Sequence, residues 1–413
     1  MTPLAALEKA APVRPGGAAD AVDGVVPSWV AAPASVADTA EVMRIAAEHG
    51  LSVVPRGAGT RLRWGLPPAS CDLLVDTGGL DKVIEHAAGD LVVTVEAGLT
   101  MDGLAEVLAA QGQRLALDVP LAGSTVGGTL ATGAWGPLRL RYGTARDLLI
   151  GVTIVRADGG LAKAGGKVVK NVAGYDLGKL FTGSYGTLGL IVEAAFRLHP
   201  LPAARSYVTC EVADFARAQT VVQEVLGSSV VPSAIELDAP GVGAGGPITV
   251  TVLIEGVAAG VGARAELVAA LLGAGARADA EQPGWWGRYP DGPTLLEVTA
   301  PPAALADIFA PASPALAALG AVGAGVRGSA GSGHWYVGVP ADAPAEQAAE
   351  LVTRLRAAAA GHGGSLVVRV AAPDLRDQVD PWGPVPSLPL MRRVKDQFDP
   401  GHRLAPGRFV GGI

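Results

Sequence analysis

Cysteine is almost absent from this chain, whose 413 residues include only Cys71 and Cys210. An iron–sulfur cluster usually takes four thiolates, so two cysteines are too few to hold one. Two interpretations of the pair stay open: a structural disulfide, or two buried, reduced thiols in a cytosolic protein. The scarcity of cysteine therefore excludes an iron–sulfur cluster held by this chain alone.

Long apolar runs and blocks of basic residues are missing as well. No run reaches the ~18 apolar residues that span a bilayer, and Met1–Pro15 lacks the hydrophobic core of a secretory signal. The net charge is −7 and no dense Lys/Arg cluster occurs, which argues against nucleic acid as a partner. We expect a cytoplasmic protein without a transmembrane segment, held at a membrane only through partners.

Apolar residues and chain-breaking residues are abundant. Hydrophobic residues make up 49% of the chain and charged residues 17%, which predicts a folded protein with sizeable cores. A chain of this length is expected to form two domains. The 57 glycines and 31 prolines favour short elements joined by many turns.

Two glycine-rich turns are the most informative feature. The first turn, Pro55–Thr60, follows the apolar run Leu51–Val54, and the second turn is Gly123–Gly128. Glycine permits positive φ and has no Cβ, so successive backbone N–H groups can converge on phosphate oxygens. Two such turns predict a ligand that is gripped in two places, as a dinucleotide would be.

Two common phosphate-binding motifs can be excluded. The dinucleotide fingerprint G-x-G-x-x-G fails because no third glycine follows Gly57 and Gly59, and Trp64–Pro68 cannot continue a helix. A P-loop requires Gly-Lys-Ser/Thr, which neither Gly127–Thr129 nor Gly166–Val168 provides. We therefore expect the ligand to lie on loops, away from helix ends.

Apolar periodicity divides the chain into a loose leader, a first domain, a second domain and a tail, at 1–27, 28–202, 203–387 and 388–413. The first domain mixes helices and strands without the alternation of a doubly wound fold, which predicts an α+β fold. The second domain shows two sets of strands and helices that resemble ferredoxin-like units. These sets are predicted at 207–212, 214–226, 233–238, 248–255 and 261–273, and at 294–298, 302–309, 334–339, 343–360 and 365–370.

Several short motifs follow one another in a telling order. They are Pro55–Thr60, Glu96–Gly98, Gly123–Gly128, Tyr142–Gly143, Arg146–Asp147, Gly174–Leu177, Gly183–Gly189, Phe398–Pro400 and Pro406–Arg408. The ordered set resembles the FAD-dependent oxidases and dehydrogenases of the vanillyl-alcohol-oxidase type, which have a PCMH-type FAD-binding domain. Within that family, Lys170–Phe181 is most similar to the smaller FAD-binding subunit of bacterial glycolate oxidase.

The resemblance implies a fold, a cofactor and a site. It implies a PCMH-type FAD-binding domain of two subdomains, followed by a ferredoxin-like α/β cap domain and a tail that returns to the FAD domain. The implied cofactor-binding residues are Pro55, Arg56, Gly57, Ala58, Gly59, Thr60, Pro120, Gly123, Ser124, Thr125, Gly127, Gly128, Tyr142, Gly143, Asp147, Ile191, Val192 and Glu193. Arg56, Arg61 and Arg63 would add local positive potential for the phosphates.

Two departures from the family bear on its chemistry. Members that attach FAD covalently near the first turn use a His where this chain has Thr60, so we expect non-covalent FAD. Metal-dependent members carry a His-x-Gly-Asp-Gly-Asn-x-His type motif, and Ser329–Tyr336 lacks both terminal histidines and the aspartate. The six histidines are scattered, with no two at ligand spacing. We therefore expect no catalytic metal.

Three residues are candidates for catalysis, each with an alternative. His334 is a candidate general base or an ordinary strand residue. Arg327 is a candidate clamp for a substrate carboxylate or a solvated loop arginine. Tyr175 is a candidate to stack or donate near the flavin, or a packed aromatic residue. Lys170 and Asn171 could serve an interface or contact the cofactor.

The resemblance implies an FAD-dependent oxidoreductase acting on CH–OH groups. As a subunit of a glycolate (2-hydroxy acid) oxidase complex, it would have a larger FAD-binding subunit and an iron–sulfur subunit as partners and a small 2-hydroxy acid as substrate. A non-catalytic structural or electron-relay flavin subunit is the second hypothesis, since the metal motif is eroded. An FAD-dependent oxidase of another alcohol or sugar is the third, because a fold does not fix a substrate.

Overall fold

The structure is a computed structural model that describes residues 2–166, 175–242 and 246–413. The chain forms two compact units. The first unit comprises 1–135, 144–201 and 385–413, and the second comprises 136–143 and 202–384. The predictions for Lys170, Asn171 and Gly174 fall outside the described residues.

In chain order, the helices of the described residues are α1 (Pro3–Ala10), α2 (Val36–Glu48), α3 (Met101–Ala109), α4 (Val126–Thr132), α5 (Arg139–Tyr142), α6 (Ala145–Leu148), α7 (Gly178–Phe181), α8 (Phe215–Leu226), α9 (Ala258–Leu272), α10 (Leu305–Ala317), α11 (Ala345–Gly361), α12 (Pro373–Arg376) and α13 (Leu388–Phe398). The strands are β1 (Val13–Pro15), β2 (Trp29–Ala31), β3 (Val53–Arg56), β4 (Leu73–Asp76), β5 (Val83–Ala87), β6 (Val92–Glu96), β7 (Gln113–Arg114), β8 (Leu149–Val155), β9 (Leu161–Gly165), β10 (Leu190–Arg197), β11 (His199–Pro200), β12 (Ala204–Val212), β13 (Ala234–Ala239), β14 (Ile248–Gly256), β15 (Arg277–Asp279), β16 (Thr294–Thr299), β17 (Gly325–Ser329), β18 (His334–Val339) and β19 (Ser365–Val370).

The first unit contains two main sheets. One has the order β1-β2-β4-β3, with β2, β4 and β3 parallel. The other is antiparallel, with the order β5-β6-β10-β8-β9. The first turn leaves the end of β3, and the second turn leads into α4. Each sheet therefore has one of the two glycine turns beside it.

The first residues of the chain are ordered, so the prediction of a loose leader was wrong. Helix α1 is capped by Thr2, whose Oγ1 accepts a hydrogen bond from Ala5 N, and Pro3 occupies its first position. Leu7 is fully buried in the core that also contains Val42 and Ile45 of α2. A short alanine-rich helix gives little sequence signal because its stability comes from this packing.

The second unit is built around one antiparallel sheet with the order β15-β12-β14-β13-β17-β18-β16-β19. Its chain order β12-α8-β13-β14-α9-β15 is repeated as β16-α10-β17-β18-α11-β19. Each half has the ferredoxin-like strand order, and the halves meet where β13 pairs with β17. The predicted ferredoxin-like units are therefore confirmed.

The two faces of this sheet differ in polarity. Alternate residues such as Leu237, Val326 and Trp335 pack with the helices in one apolar core. Their neighbours along the strands, such as Asp238 and Arg327, are polar and lie on the opposite face, because side chains alternate along a strand. The second unit therefore has helices on one face of its sheet and a polar second face.

Cys71 lies in the first unit and Cys210 in the second, and both thiols are free and buried. This confirms the interpretation as two buried, reduced cysteines. Burial raises the pKa of Cys71 to about 11, so its thiol stays protonated at neutral pH. Across residues 2–166, 175–242 and 246–413, none of the helices has the length and apolar character required to cross a bilayer.

Candidate functional site

The two glycine turns line one cleft of the first unit, with a volume of about 770 Å³ that includes open solvent. The first turn supplies one wall, and Thr125, Gly127 and Gly128 of the second supply another. The remaining lining residues are Val54, Arg61, Leu62, Thr77, Ala131, Thr132, Tyr185, Gly186, Gly189, Leu190, Ile191 and Arg408. The two turns that we predicted to bind one ligand therefore line the same cleft.

The two turns touch each other at the base of this cleft. A Cβ on Gly57 would overlap Thr125 Oγ1, so only glycine fits there. Thr60 Oγ1 lies 3.4 Å from Ser124 Oγ, and Arg61 Nη1 donates to the same Ser124 Oγ at 3.0 Å. Residues far apart in sequence therefore form one continuous wall.

The second turn is fixed through backbone hydrogen bonds, three of them to Ala97, Leu99 and Met101 outside the turn. The hydrogen bonds are Met101 N to Ser124 O (2.8 Å), Val126 N to Leu99 O (2.9 Å), Gly127 N to Ala97 O (2.7 Å) and Gly128 N to Thr125 Oγ1 (3.2 Å). Thr125 caps α4, so Gly127 and Gly128 lie in the first turn of a helix. The second turn, which we predicted to be a loop away from helix ends, therefore contains the start of a helix, because a threonine cap was interpreted as part of a loop.

The first turn presents its backbone differently. Within the described residues, the amide N–H groups of residues 57–61 have no hydrogen-bond partner. Gly59 has φ +75°, a conformation that brings neighbouring amides toward one side. Unsatisfied amide donors that line a cleft are suited to an anionic ligand.

Arg56, near the start of the first turn, is held by two ion pairs. Its guanidinium pairs with Asp20 (3.0 Å) and Asp76 (2.6 Å). Hydrogen bonds from Arg14 and Arg56 hold the pKa of Asp20 well below its usual range. Because two carboxylates balance its charge, Arg56 adds little of the positive potential that we predicted for it, and Arg63 is exposed.

Two other arginines reach the cleft. Arg61 is 6% exposed, and its Nε and Nη2 have no hydrogen-bond partner among the described residues. Arg408 is 4% exposed and donates from Nη2 to Leu62 O (2.9 Å) and Trp64 O (2.8 Å), while its Nη1 has no partner there. Sequence reasoning did not assign Arg408 to the site, although it noted the motif Pro406–Arg408.

The other predicted cofactor-binding residues lie in different places. Ile191 lines the cleft, whereas Val192 is buried in the core and the Glu193 side chain accepts from Thr153 Oγ1 at 2.6 Å. Pro120, Gly123 and Ser124 are not in the lining, although Ser124 Oγ bonds to Arg61. Tyr142 and Gly143 belong to the second unit. Asp147 is exposed and accepts from Thr144 N, which caps α6.

Sequence reasoning missed one side of the cleft. Tyr185, Gly186, Gly189 and Leu190 contribute to it, and a Cβ on Gly186 would lie 2.7 Å from Pro55 Cγ. Tyr185 has φ +56°, which is uncommon for a residue with a side chain. The glycines of Gly183–Gly189 were the available signal, since closely spaced glycines often permit close backbone approach.

His334 lies on the polar face of the second unit's sheet with both ring nitrogens engaged. Nδ1 is 2.7 Å from Ser332 O, a pure acceptor, so Nδ1 carries the proton. Nε2 then accepts from Arg139 Nη2 at 2.9 Å. Burial, with Arg139 beside it, lowers the pKa of His334 to about 4, so the imidazole is neutral at pH 7.

Arg327 and Tyr175 have contrasting surroundings. Arg327 is buried, with Nε donating to Asp238 at 2.7 Å and Nη1 to Tyr289 O at 2.9 Å. The alternative of a solvated loop arginine was therefore wrong. Tyr175 is 91% exposed, so the alternative of a packed aromatic residue was wrong too. In the part of the chain that the structure describes, no three His, Cys, Asp or Glu side chains are grouped so that they could hold a metal ion.

Two family profiles match most of the chain. One, described as an FAD binding domain, matches residues 27–165, and the other, described as the C-terminal domain of FAD linked oxidases, matches residues 255–409. The chain belongs to the FAD-linked oxidases with a PCMH-type FAD-binding domain. The matches confirm FAD as the predicted cofactor, and with them the α+β fold.

Curated relatives of this FAD-linked oxidase share part of its length. Glycolate oxidase subunit GlcD of Bacillus subtilis is 32% identical over 217 residues, which cover 52% of this chain and 46% of that protein. D-2-hydroxyglutarate dehydrogenase of Xanthomonas citri is 36% identical over 177 residues, covering 43% and 38%. The aligned part of this chain therefore spans less than half the length of these relatives.

Solved structures match nearly the whole chain at low identity. Alkyldihydroxyacetonephosphate synthase has a TM-score of 0.70 at 18% identity and covers 93% of this chain and 78% of its own. Chitooligosaccharide oxidase has a TM-score of 0.69 at 16% identity and covers 97% of both chains. These similarities concern the fold alone.

The cleft residues fit FAD. The open amides of residues 57–61 and the unpartnered donors of Arg61 and Arg408 suit a diphosphate, which is the anionic part of the cofactor. Gly57 and Gly186 let the segments that line the cleft pack closely, against Thr125 and Pro55 respectively. Apolar side chains such as Leu62 and Ile191 line the same cleft and suit a flat aromatic ring.

Proposed function

We propose that this FAD-linked oxidase oxidises the CH–OH group of a small 2-hydroxy acid such as glycolate. The observation that carries the proposal is the cleft in which the first turn has open amides beside buried Arg61. The names of the relatives supply the substrate class, since glycolate, D-lactate and D-2-hydroxyglutarate are all 2-hydroxy acids.

In this mechanism the chain binds and orients, and FAD when bound supplies the hydride acceptor. The amides of the first turn and Arg61 hold the diphosphate. The second turn, hydrogen-bonded to Ala97, Leu99 and Met101, would form the adjoining wall. Thr60 has no nucleophilic ring nitrogen, so it forms no bond of the kind a histidine makes to the flavin. The cofactor is then retained by non-covalent contacts alone.

Proton transfer by His334 would require its hydrogen bond with Arg139 to break. A neutral His334 has the protonation state of a general base, but its Nε2 lone pair is occupied by Arg139. For His334 to accept a proton from a substrate hydroxyl, Arg139 must first release it. Arg327 keeps its hydrogen bonds to Asp238 and to Tyr289 O. It would bind a substrate carboxylate only through a guanidinium N–H group that these two bonds do not use.

We further propose that the chain works as the smaller FAD-binding subunit of a glycolate oxidase complex. Lys170–Phe181 supports this through its similarity to that subunit, and two buried cysteines leave the iron–sulfur chemistry to a partner. A larger FAD-binding subunit and an iron–sulfur subunit are the partners in this proposal.

A non-catalytic electron-relay subunit is the second candidate. It is favoured by the engaged nitrogens of His334, the paired guanidinium of Arg327 and the exposure of Tyr175. His334 and Arg327 then have structural partners, and Tyr175 is exposed. The FAD cleft does not depend on any of the three residues.

Anaerobic mixing with glycolate separates the two candidates. In the enzymatic function, the flavin absorption of the purified holoprotein bleaches on adding glycolate, and it does not bleach with acetate, which lacks the hydroxyl. If bleaching occurs only after the partner subunits are added, the relay function is supported and the autonomous enzyme is excluded.

Trichloroacetic acid precipitation tests the mode of attachment. Non-covalent FAD is released to the supernatant, which becomes yellow. A yellow pellet under a clear supernatant contradicts the proposal for Thr60.

A further inference from the structure

We propose that Arg61 and Arg408 form a two-arginine clamp that binds the phosphate groups of the cofactor, with one cation from each end of the chain. This rests on the proposed FAD site and adds to it a side-chain anion site. The profile described as an FAD binding domain ends at residue 165, so Arg408 lies far outside it.

Arg61 is held in place with donors to spare. Nη1 donates to Ser124 Oγ at 3.0 Å, and the guanidinium lies 5.5 Å from the centre of the Trp64 ring. These contacts fix the plane of the group while leaving Nε and Nη2 buried and without a hydrogen-bond partner among the described residues. A pre-oriented guanidinium with two adjacent open donors suits bidentate binding of a phosphate.

Arg408 is held in the same manner from the opposite end of the chain. Nη2 bonds to both Leu62 O and Trp64 O, the carbonyls that flank Arg63. Nη1 is buried without a partner in the part of the chain described, and the residue lines the same cleft. Burial lowers the pKa of Arg408, as expected for a guanidinium removed from water.

Among the arginines that line the cleft, Arg61 and Arg408 form no salt bridge with a described residue, although the carboxylate of Asp23 opposes the burial that lowers the pKa of Arg408. Arg56 is balanced by Asp20 and Asp76, and Arg63 is exposed. Leaving buried guanidinium donors unsatisfied is costly, and an anion that accepts from them removes that cost. The same contacts distinguish a flavin with a diphosphate from riboflavin, which has no phosphate.

The test compares Arg61→Met and Arg408→Met with Arg63→Met, an exposed arginine of the same segment. Dissociation constants of the flavin-free full chain are measured by calorimetry for FAD, riboflavin and inorganic pyrophosphate. We expect each clamp variant to bind FAD about 10- to 100-fold more weakly and to lose pyrophosphate binding. Riboflavin binding stays within about twofold of wild type in all variants, and Arg63→Met behaves as wild type.

Riboflavin distinguishes a clamp from a structural role. If Arg408→Met merely loosens the residues that follow the first turn, FAD and riboflavin weaken by the same factor, and the clamp is overturned. The clamp is also overturned if Arg61→Met and Arg63→Met bind FAD equally well. If wild type binds pyrophosphate through Arg61 but no FAD, the clamp stands and the proposed function falls. If wild type binds neither, both fall.

Discussion

The two glycine turns look alike in sequence and are held in opposite ways. In the second turn, Gly127 N and Gly128 N bond to Ala97 O and Thr125 Oγ1, so these amides are satisfied by acceptors of the first unit. In the first turn, no described residue accepts from the amides of 57–61. A turn whose amides are already paired within the protein keeps its conformation without a ligand, whereas one that keeps donors for a ligand has to be held by other groups.

Those other groups come from distant parts of the chain. Asp20 and Asp76 hold Arg56, the backbone of Leu62 and Trp64 is held by Arg408, and Gly186 lies against Pro55. The contrast teaches that glycine content identifies a turn, while its supporting side chains show whether its backbone is available to bind. Each variant below alters either the contacts of the second turn or the groups that support the first turn.

Lys395→Met should have the largest effect. Lys395 is 1% exposed in α13 and donates to Asp399 Oδ2, Thr187 O and Leu404 O. Its loss leaves buried Asp399 without its cation, so we expect the free energy of unfolding of the first unit to fall by about 3–5 kcal/mol. Urea denaturation measures this, with Arg393→Met as an exposed control in the same helix.

The contrast between the turns predicts where Lys395→Met acts locally. Hydrogen exchange should increase in the tail and in the residues that follow the first turn, while the amides of α4 stay protected. Equal loss of protection in α4 would contradict the claim that the second turn is held by its bonds to Ala97, Leu99 and Met101.

Gly57→Ala should come next. The added Cβ overlaps Thr125 Oγ1 and separates the two turns, at a cost of about 2–3 kcal/mol in FAD binding, or about 100-fold in Kd. Fluorescence titration with FAD measures it. Gly17→Ala, with open space around its Cβ position, is the matched control.

A second variant checks the cause. In Gly57→Ala/Thr125→Gly the overlapping side chain is absent, so part of the FAD affinity should return. No recovery would place the defect in the first turn alone.

Asp20→Asn should destabilise the first unit by about 1–2 kcal/mol, because Arg56 loses one of its two carboxylates. The folded pKa of Asp20 is depressed, so its stabilising effect is present above the unfolded pKa near 4 and is lost as pH falls through the folded value. Wild type should therefore lose stability below about pH 4 more steeply than the variant. Urea midpoints across this range measure it, with exposed Asp158→Asn as control.

Thr125→Ala should have the smallest effect on the ligand. It removes the cap of α4, with its bond from Gly128 N, and about 1 kcal/mol of stability, yet the bonds of the second turn to Ala97, Leu99 and Met101 remain. We expect FAD affinity to change less than about threefold. Thr100→Ala, which removes the cap of α3, is the matched control for cap loss in thermal unfolding.

Sequence patterns predicted regular elements well where apolar residues decide them. Strands at 334–339 and 365–370 have the bounds that the structure shows. Strand β17 was missed, because Gly-Val-Arg-Gly-Ser has few residues of high β-propensity and owes its conformation to pairing on both sides. Helix α10 extends beyond the predicted 302–309 despite two internal prolines.

For the site as well, local sequence signals were recognised and contacts between distant residues were not. Both turns were found, since glycines at close spacing are a local signal. The partners of Arg56 and the position of Arg408 were not, because they depend on contacts across 36 and 20 positions for Arg56 and across 346 and 344 positions for Arg408. The exclusion of helix ends failed at Thr125, where a cap and a turn have the same residue types.

The pairing of β13 with β17 has a consequence for how the second unit can be dissected. Each ferredoxin-like half would have an exposed, hydrogen-bonding edge if it were expressed separately, and such edges recruit strands from other molecules. Cutting the gene between the halves should therefore yield insoluble fragments or a reassociated pair, which makes this junction a natural place to engineer a split reporter.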